Sequence, residues 1–303
     1  MPSTLQPSTE RPATSYDEAC TRFEALLRQD TEAIDPASAS RLVTPGHRTE
    51  RVVVLFHGLT NSPRQFESLT ERFVSRGYSM FIPRIPYHGY ADRMSVDHAR
   101  LSERDLVETT SMAIDLASGL ADHITVSGIS LGGVLAVWAA QYRRIAVAAP
   151  IAPAIGFKFL PMRLTGMTFG TMRRLPNRFV WWDPRVKDKL EGPPYAYPRF
   201  STHAIAQTQK LGLDLLKAAR TSPPRADSVW MITNAADLAV NNAASVELVR
   251  RWRGAGATNV HQYEFATELK LFHDLIDPLQ PNSQPELVHP ILEQLIIDGT
   301  PPG

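Results

Sequence analysis

A serine stands between two glycines at the junction of a predicted strand and a predicted helix. The run Ile124–Ile129 is apolar as in a buried strand, and Leu131–Ala140 has the small and apolar residues of a buried helix. Gly128-Ile-Ser-Leu-Gly132 fits the G-x-S-x-G pattern, in which a sharp turn lifts a serine hydroxyl clear of a sheet. We therefore predict that Ser130 is a nucleophile able to attack a carbonyl carbon.

A serine nucleophile needs a base, and the base needs an acid that orients it. In the chain order typical of this motif, the acid follows the serine and a histidine follows the acid. Asp237 stands four residues after the predicted strand Val229–Thr233. Of the nine histidines, His273 follows the predicted strand Asn259–Phe265 and comes after Asp237. These positions predict that Asp237 is the acid and that His273 is the base.

Two backbone N–H groups are predicted to bind the oxyanion that forms during such an attack. Leu131 N–H follows the serine, at the start of a helix whose first N–H groups lack partners. The second donor should come from the loop after the first buried strand, which reads His57-Gly58-Leu59. Gly58 lets the backbone approach closely, so Leu59 N–H is the expected donor. His57 and His88 are expected to brace loops rather than to transfer protons.

Each of these residues also has a plainer interpretation. A glycine-rich turn can hold an inert serine at position 130, and Asp237 can cap the helix that follows it. His273 can be a surface histidine paired with the neighbouring Asp274. The catalytic interpretation is preferred because all the required parts occur in one chain and in the expected order.

Predicted strands alternate with predicted helices along most of the chain, which indicates a parallel sheet with helices on both faces. Functional residues then belong at the carboxyl ends of the strands. The predicted strands are Arg51–Phe56, Tyr78–Ile82, Ile124–Ile129, Arg144–Ala149, Val229–Thr233 and Asn259–Phe265, with a weak edge strand at Arg41–Thr44. The predicted helices include Tyr16–Gln29, Ser102–Leu120, Thr202–Ala219, Ala243–Trp252 and His289–Asp298, and one that Ser62 caps.

The alternation stops between Ala149 and Val229, in a stretch rich in aromatic residues and methionine. We predict that residues 151–219 form an inserted helical lid over the strand ends, followed by a return helix. Residues 16–150 and 220–303 then form the core, and residues 1–15 are a disordered, polar and proline-rich tail. The insertion can also be a second packing layer with no role in binding, because aromatic residues usually occupy cores.

The composition sets limits on other functions. A chain of 303 residues with a formal net charge of +1 has no general attraction for nucleic acid or membranes. A single cysteine, Cys20, excludes an internal disulfide framework and a cysteine-rich metal site. No apolar run is long enough to span a bilayer, and the N-terminus shows no secretory signal, so we expect a cytoplasmic protein.

Phe56-His-Gly-Leu-Thr60, Gly128-Ile-Ser-Leu-Gly132, the Asp237 loop and His273 together resemble the α/β-hydrolase superfamily. Within it, the chain is most similar to bacterial carboxylesterases and monoacylglycerol-lipase-like enzymes. The resemblance implies a two-step acyl transfer to a small-molecule ester through an acyl-enzyme on Ser130, with no cofactor and no metal. Thioesters or amides as substrates stay open, and so does a non-catalytic ligand-binding protein with this fold.

The predicted lid suggests what the substrate carries. Its aromatic and methionine side chains favour an apolar acyl or alkyl chain. Basic residues outnumber acidic ones, which leads to the hypothesis that the lid prefers negatively charged substrates or makes weak contact with anionic lipid; a solvated lid face explains the charges equally well. Between residues 157 and 200 the basic residues are Lys158, Arg163, Arg173, Arg174, Arg178, Arg185, Lys187, Lys189 and Arg199, and the acidic ones are Asp183, Asp188 and Glu191.

Overall fold

The computed structural model describes residues 9–158, 160–189 and 191–300, and strands and helices alternate within them. Among the helices of these residues, none has the length and the hydropathy needed to cross a membrane. The strands are β1 (Arg41–Val43), β2 (Thr49–Phe56), β3 (Ser79–Ile82), β4 (Ala121–Ile129), β5 (Val147–Ile151), β6 (Phe179–Trp181), β7 (Arg199–Ser201), β8 (Ser228–Asn234) and β9 (Val260–Phe265). The helices are α1 (Tyr16–Leu27), α2 (Glu67–Ser75), α3 (Glu103–Ala117), α4 (Leu131–Tyr142), α5 (Met162–Met172), α6 (Thr202–Ala218), α7 (Asn242–Gly254) and α8 (Pro285–Glu293), which continues as a π-helical turn over Gln294–Asp298.

Within the described residues, seven strands form one sheet in the order β1-β3-β2-β4-β5-β8-β9. Neighbouring strands run parallel except β1, which pairs antiparallel with β3 at the edge. Val52–Phe56 in β2 have no exposed surface, because helices cover both faces of the sheet. The predicted fold class, a mostly parallel sheet flanked by helices, is confirmed.

Two helix starts show how local sequence sets the boundaries. Ser102 and Asp105 form a reciprocal capping box at the start of α3, in which each side chain accepts from the other residue's N–H. Ser62 stands at the predicted N-cap position before Pro63, but its side chain makes no capping hydrogen bond. Pro63–Phe66 instead form a 3₁₀ turn, and α2 begins after it.

The segment between β5 and α6, residues 152–201, is called here the inserted segment. It contains helix α5, so the predicted helical insertion is present in part, but it also contains β6 and β7, which pair antiparallel with Val180 opposite Phe200. Aromatic residues favour such pairing, and the rings of Trp182 and Phe200 lie 4.4 Å apart between centroids. The predicted return helix is present as α6.

The predicted disordered tail is wrong for residues 11–15. The N–H of Ala13 donates to the backbone carbonyl of Asp115 in α3 at 2.7 Å, and Arg11 N–H donates to the Asp115 carboxylate at 2.9 Å. Ser15 then caps α1 by accepting from Glu18 N–H. Residues 1–8 of the predicted tail lie outside the described residues.

Candidate active site

The turn at Ser130 has a backbone conformation that a serine rarely adopts. Its φ is 59° and its ψ is −114°, on the side of the map that favours glycine. A Cβ on Gly132 would stand 1.8 Å from the carbonyl oxygen of Phe56, and one on Gly128 would stand 2.6 Å from the same oxygen. Only glycine fits at both positions, which explains the spacing in the sequence motif.

Hydrogen bonds on both sides hold this strained turn. Ser130 N–H donates to the carbonyl of Ile151 at 3.0 Å. The Ser130 carbonyl accepts from Val134 N–H at 3.1 Å and from Ala154 N–H at 3.0 Å. The backbone that carries the hydroxyl is therefore fixed by strand β5, helix α4 and the start of the inserted segment.

His273 and Asp237 form a hydrogen-bonded pair. The Nδ1 atom of His273 lies 2.7 Å from Oδ2 of Asp237, although the residues are 36 positions apart. The carboxylate has no exposed surface, and its other oxygen accepts from Ala239 N–H at 2.7 Å and Val240 N–H at 3.1 Å. The contact to Nδ1 makes that nitrogen the donor, so Nε2 of a neutral His273 ring carries a free lone pair.

The two groups shift each other's pKa in opposite directions. Burial lowers the pKa of His273, but the negative charge and the hydrogen bond of Asp237 outweigh it, so the pKa is raised overall. Burial raises the pKa of Asp237, yet the attraction of His273 and the hydrogen bonds from His273 and two backbone N–H groups lower it overall. Asp237 is thus held as a carboxylate, and His273 takes up a proton more readily than a free histidine.

A cavity of about 540 Å³ joins the predicted site residues. Ser130, His273, Leu59 and Leu131 all line it, and each follows the carboxyl end of a parallel strand. Asp237 lies behind His273, outside the lining. The other walls are mostly apolar and come from both the core and the inserted segment. They include Ile129, Phe157, Trp182, Tyr197, Ile205, Val240 and Phe272.

The histidine before Gly58 fixes the loop that carries Leu59. Nδ1 of His57 lies 2.9 Å from the Gly58 carbonyl, and Nε2 lies 3.0 Å from the N–H of Ile85, which can only donate. His57 is therefore protonated on Nδ1. Burial lowers its pKa to about 4, so the ring stays neutral near neutral pH.

This hydrogen bond also aims the N–H of Leu59. The Gly58 carbonyl and the Leu59 N–H belong to one planar trans peptide and point in opposite directions. A Cβ on Gly58 would lie 3.7 Å from Cβ of Ser130, so Gly58 lies beside the serine. The loop-bracing role predicted for His57 has this geometric basis, and His88 likewise lies 2.9 Å from a loop carbonyl, that of Pro86.

The cavity lining also includes Thr60, Trp182 and Arg93, to which the sequence assigned no role. Thr60 follows Leu59 and has a φ of 69°. Trp182 stands in the aromatic stretch of the inserted segment, and Arg93 lies in the loop after β3. An aromatic pair, Trp181-Trp182, is visible in the sequence, but nothing in it separates the ring that faces the cavity from its neighbour.

The family model described as Serine aminopeptidase, S33 (Hydrolase_4) matches residues 47–276 of this chain. The chain belongs to this family. The resemblance to α/β-hydrolases that the motifs indicated is thereby confirmed.

This S33 family member also matches a thermostable monoacylglycerol lipase from Bacillus sp. (strain H-257). The two are 29% identical over 119 residues, which cover 39% of this chain and 45% of the lipase. The match therefore spans less than half of that relative's length.

Solved structures share the fold of the S33 family member over most of its length. One belongs to work on LipS and LipT, two metagenome-derived lipolytic enzymes, with a TM-score of 0.64, 20% identity, and coverage of 88% of this chain and 99% of that one. Another is a monoacylglycerol lipase from Paleococcus ferrophilus, with a TM-score of 0.60, 16% identity, and coverage of 86% and 98%. At these identities the likeness shows the fold.

Proposed function

We propose that this protein is a serine hydrolase that cleaves carboxylic esters through an acyl-enzyme on Ser130. The observation that carries the proposal is the 2.7 Å hydrogen bond between His273 and the buried Asp237, beside a cavity that His273 shares with Ser130. A hydroxyl on a strained turn, an oriented imidazole and a buried carboxylate are the parts that acyl transfer requires.

The reaction follows from these parts. Ser130 Oγ attacks the ester carbonyl while Nε2 of His273 takes its proton, and Asp237 stabilises the imidazolium that forms. The N–H groups of Leu59 and Leu131 bind the oxyanion. His273 then protonates the leaving alcohol, which departs and leaves the acyl group on Ser130. Water attacks that ester by the same steps, releasing the acid and restoring the serine.

The cavity walls favour an apolar acyl or alkyl chain. A volume of about 540 Å³ and a mostly apolar lining suit a chain-bearing small molecule rather than a polymer. The relatives named as monoacylglycerol lipases support esters with a single acyl chain. We propose that the inserted segment, which supplies part of these walls, acts as the lid.

The preference for negatively charged substrates stays a prediction. Of the nine basic residues counted in the predicted lid, Arg185 lines the cavity, where it pairs with Asp183. The lining also includes the carboxylates of Glu191 and Asp274 and the guanidinium of Arg93. Weak contact with anionic lipid and a cytoplasmic location likewise stay predictions.

A second candidate is hydrolysis of an amide next to a free amine. The description of the family names an aminopeptidase, and three carboxylates line the cavity against two guanidinium groups. A substrate ammonium group would be attracted to a carboxylate of the lining such as Asp274, which accepts from the Gln280 side chain at 2.9 Å. The same Ser130 and His273 would serve both reactions.

The test compares p-nitrophenyl esters of increasing acyl length with aminoacyl p-nitroanilides. Wild type should hydrolyse the esters, and Ser130→Ala and His273→Ala should each lose about 10³-fold or more in kcat/KM. Ser75→Ala and the exposed His123→Ala are the matched controls and should match wild type. A fluorophosphonate should label wild type and not Ser130→Ala.

Three outcomes would decide against the proposal. An inactive wild type that takes up no fluorophosphonate would favour a ligand-binding protein. Full activity in Ser130→Ala would place the nucleophile elsewhere. A higher kcat/KM for the anilide than for every ester would favour the aminopeptidase.

A further inference from the structure

We propose that the inserted segment holds the oxyanion loop in its working conformation, with Trp182 and Thr60 acting as positioning residues for the N–H of Leu59. The inference rests on the proposed function, in which that N–H binds the oxyanion. It adds a task for the inserted segment besides forming the walls of the cavity.

Two residues of the inserted segment converge on Thr60. The indole N–H of Trp182 donates to Thr60 Oγ1 at 3.0 Å. The backbone N–H of Tyr197 donates to the Thr60 carbonyl at 2.7 Å. Trp182 and Tyr197 lie fifteen positions apart, on either side of the turn between β6 and β7, so both ends of this turn are tied to one residue of the core.

The Thr60 hydroxyl passes this contact on to Leu59. Thr60 Oγ1 donates to the Leu59 carbonyl at 2.5 Å while it accepts from the indole of Trp182. A hydroxyl has one proton and two lone pairs, so it can make both hydrogen bonds at once. Since an indole nitrogen can only donate, Trp182 directs the hydroxyl proton toward Leu59.

Leu59 is thereby held on both sides. The peptide before it, which contains its N–H, is fixed from the core by the contact of His57 with Gly58. The peptide after it is fixed by Thr60, which Trp182 and Tyr197 hold from the inserted segment. Each peptide is rigid, so the conformation of Leu59 is set by these two anchors together.

The backbone of Thr60 is strained, and the contacts from the inserted segment hold it in that conformation. Its φ of 69° lies in the left-handed region, which a β-branched residue avoids. Strained conformations persist only where the surroundings hold them, and Thr60 is buried with its carbonyl and its hydroxyl both engaged. Without the inserted segment, Thr60 would relax to negative φ and rotate the peptide that follows Leu59.

The inserted segment is itself anchored where it makes these contacts. Trp182 N–H donates to the carbonyl of Pro198 at 3.0 Å across the two-stranded pair. The hydroxyl of Tyr197 accepts from Tyr90 N–H at 2.9 Å, and Nε of Arg93 donates to the Ala196 carbonyl at 2.8 Å. The contacts on Thr60 therefore come from a braced part of the segment.

The first experiment compares Trp182→Phe with Trp181→Phe by steady-state ester hydrolysis. Phenylalanine keeps an aromatic ring, but it is smaller than indole and lacks the N–H that reaches Thr60; Trp181→Phe makes the same chemical change. Loss of a whole oxyanion donor costs about 10²–10³-fold in kcat, so a displaced donor should cost about tenfold, with KM changed by less than about twofold. Trp181, which lies outside the cavity lining and near Arg199, is the matched control and should behave as wild type.

A second pair of variants tests the hydroxyl. Thr60→Val keeps the shape and removes the hydroxyl, whereas Thr60→Ser keeps the hydroxyl and should retain more kcat than the valine variant. The double variant Trp182→Phe, Thr60→Val should lose little more kcat than Thr60→Val alone, because both changes interrupt the same chain of hydrogen bonds from Trp182 through Thr60 to Leu59. Melting temperatures identify any variant that fails to fold.

Inhibitor binding separates positioning from a structural effect. An alkyl boronic acid, which forms a tetrahedral adduct on the serine, should bind Trp182→Phe about tenfold more weakly than wild type, in step with kcat. The carboxylic acid product should bind both proteins equally. Equal boronic acid affinity in the two proteins would overturn the inference, because the oxyanion site would then be intact.

The kinetic results distinguish a failure of the positioning role from a failure of the proposed function. Equal kcat for Trp182→Phe and Trp181→Phe, or a raised KM at unchanged kcat, would overturn the positioning role while ester hydrolysis stands. A wild type with no more activity or fluorophosphonate labelling than Ser130→Ala would overturn the proposed function, and the inference with it.

Discussion

The Nδ1 atom of His273 lies 2.7 Å from an oxygen of Asp237 that no solvent reaches. The carboxylate raises the pKa of His273 against the opposing effect of burial. A base must be unprotonated to accept a proton, so the acid limb of the wild-type kcat/KM profile should lie above pH 6.5, the ordinary pKa of histidine.

Asp237→Asn should both slow the enzyme and move this limb. Without the negative charge, burial dominates and the pKa of His273 falls, so the limb shifts to lower pH while kcat drops by about 10³–10⁴-fold. A pH series of ester hydrolysis measures both effects. Asp227→Asn, an exposed aspartate before β8, is the control and should leave the profile unchanged. An unmoved limb in Asp237→Asn would contradict the coupling.

Buried histidines should make the fold sensitive to acid. Burial is the largest cause that lowers the pKa of His57 and of His98 to about 4. The unfolded chain binds these protons near pH 6.5, whereas the folded chain binds them only near pH 4. The free energy of unfolding should therefore be highest above pH 6.5 and decrease as the pH falls toward 4. Each group contributes on the order of 3 kcal/mol.

The histidine cluster allows this to be tested with one change. His98 packs against the rings of Tyr197 and Phe179, each 5.2 Å away between centroids, so His98→Leu replaces it with an apolar side chain. Urea denaturation between about pH 4.5 and pH 8 should show that the free energy of unfolding of this variant depends less steeply on pH. The difference in slope should correspond to the uptake of close to one proton. His123→Asn, at an exposed histidine, should keep the wild-type slope. Equal slopes in wild type and His98→Leu would contradict the prediction.

The buried carboxyl group of Asp277 should make the protein less stable as the pH rises, whereas the buried histidines make it less stable as the pH falls. Burial, with the negative charge of Asp274, raises the pKa of Asp277 to about 6, although Tyr195 donates a hydrogen bond to it. The folded state then holds a proton that the unfolded chain releases near pH 4, so this carboxyl lowers stability as the pH rises from about 4 to about 6. Asp277→Asn should be more stable than wild type at pH 8, by up to about 3 kcal/mol, and similar at pH 4. Denaturation at both pH values measures the difference, and an equal change at both would count against a titration effect.

Removing one partner of the buried ion pair between Arg143 and Asp115 should strongly destabilise the protein. Their side chains are 4% and 10% exposed, and Nη2 lies 2.5 Å from Oδ1. Arg143→Met leaves the carboxylate without its cation, so unfolding at neutral pH should become easier by about 3–5 kcal/mol. The exposed pair Arg104–Glu108 is the control, and Arg104→Met should cost less than about 1 kcal/mol. Similar losses in the two variants would contradict the role of burial.

The sequence was most informative where structure depends on neighbouring residues. The β-branched run at Arg51–Phe56 predicted a central strand. Gly128 and Gly132 predicted a sharp turn at Ser130, and in the structure no larger residue fits at either glycine position. Asp237 and His273 were selected by chain order and by their positions after strands. The structure brings these two within hydrogen-bond distance, because parallel strands carry their carboxyl ends to one edge.

Contacts between distant residues could not be predicted in this way. Trp182 and Thr60 are 122 positions apart, and the choice of Trp182 over Trp181 depends on how β6 pairs with β7. Residues 11–15 have the composition of a tail, yet they lie against α3 because Asp115 offers acceptors there. Such pairings depend on the tertiary fold and leave no periodic pattern in the chain.

The inserted segment has a consequence for how this fold can change its substrates. Residues 152–201 enter after β5 and leave before α6, so in topology they form a cassette that recombination could replace without cutting the sheet. The contacts that Trp182 and Tyr197 make with Thr60 limit that freedom. A replacement cassette would bring a new cavity shape, but it would keep the rate of catalysis only if it also donated hydrogen bonds to Thr60 and, as Ala154 does, to the carbonyl of Ser130.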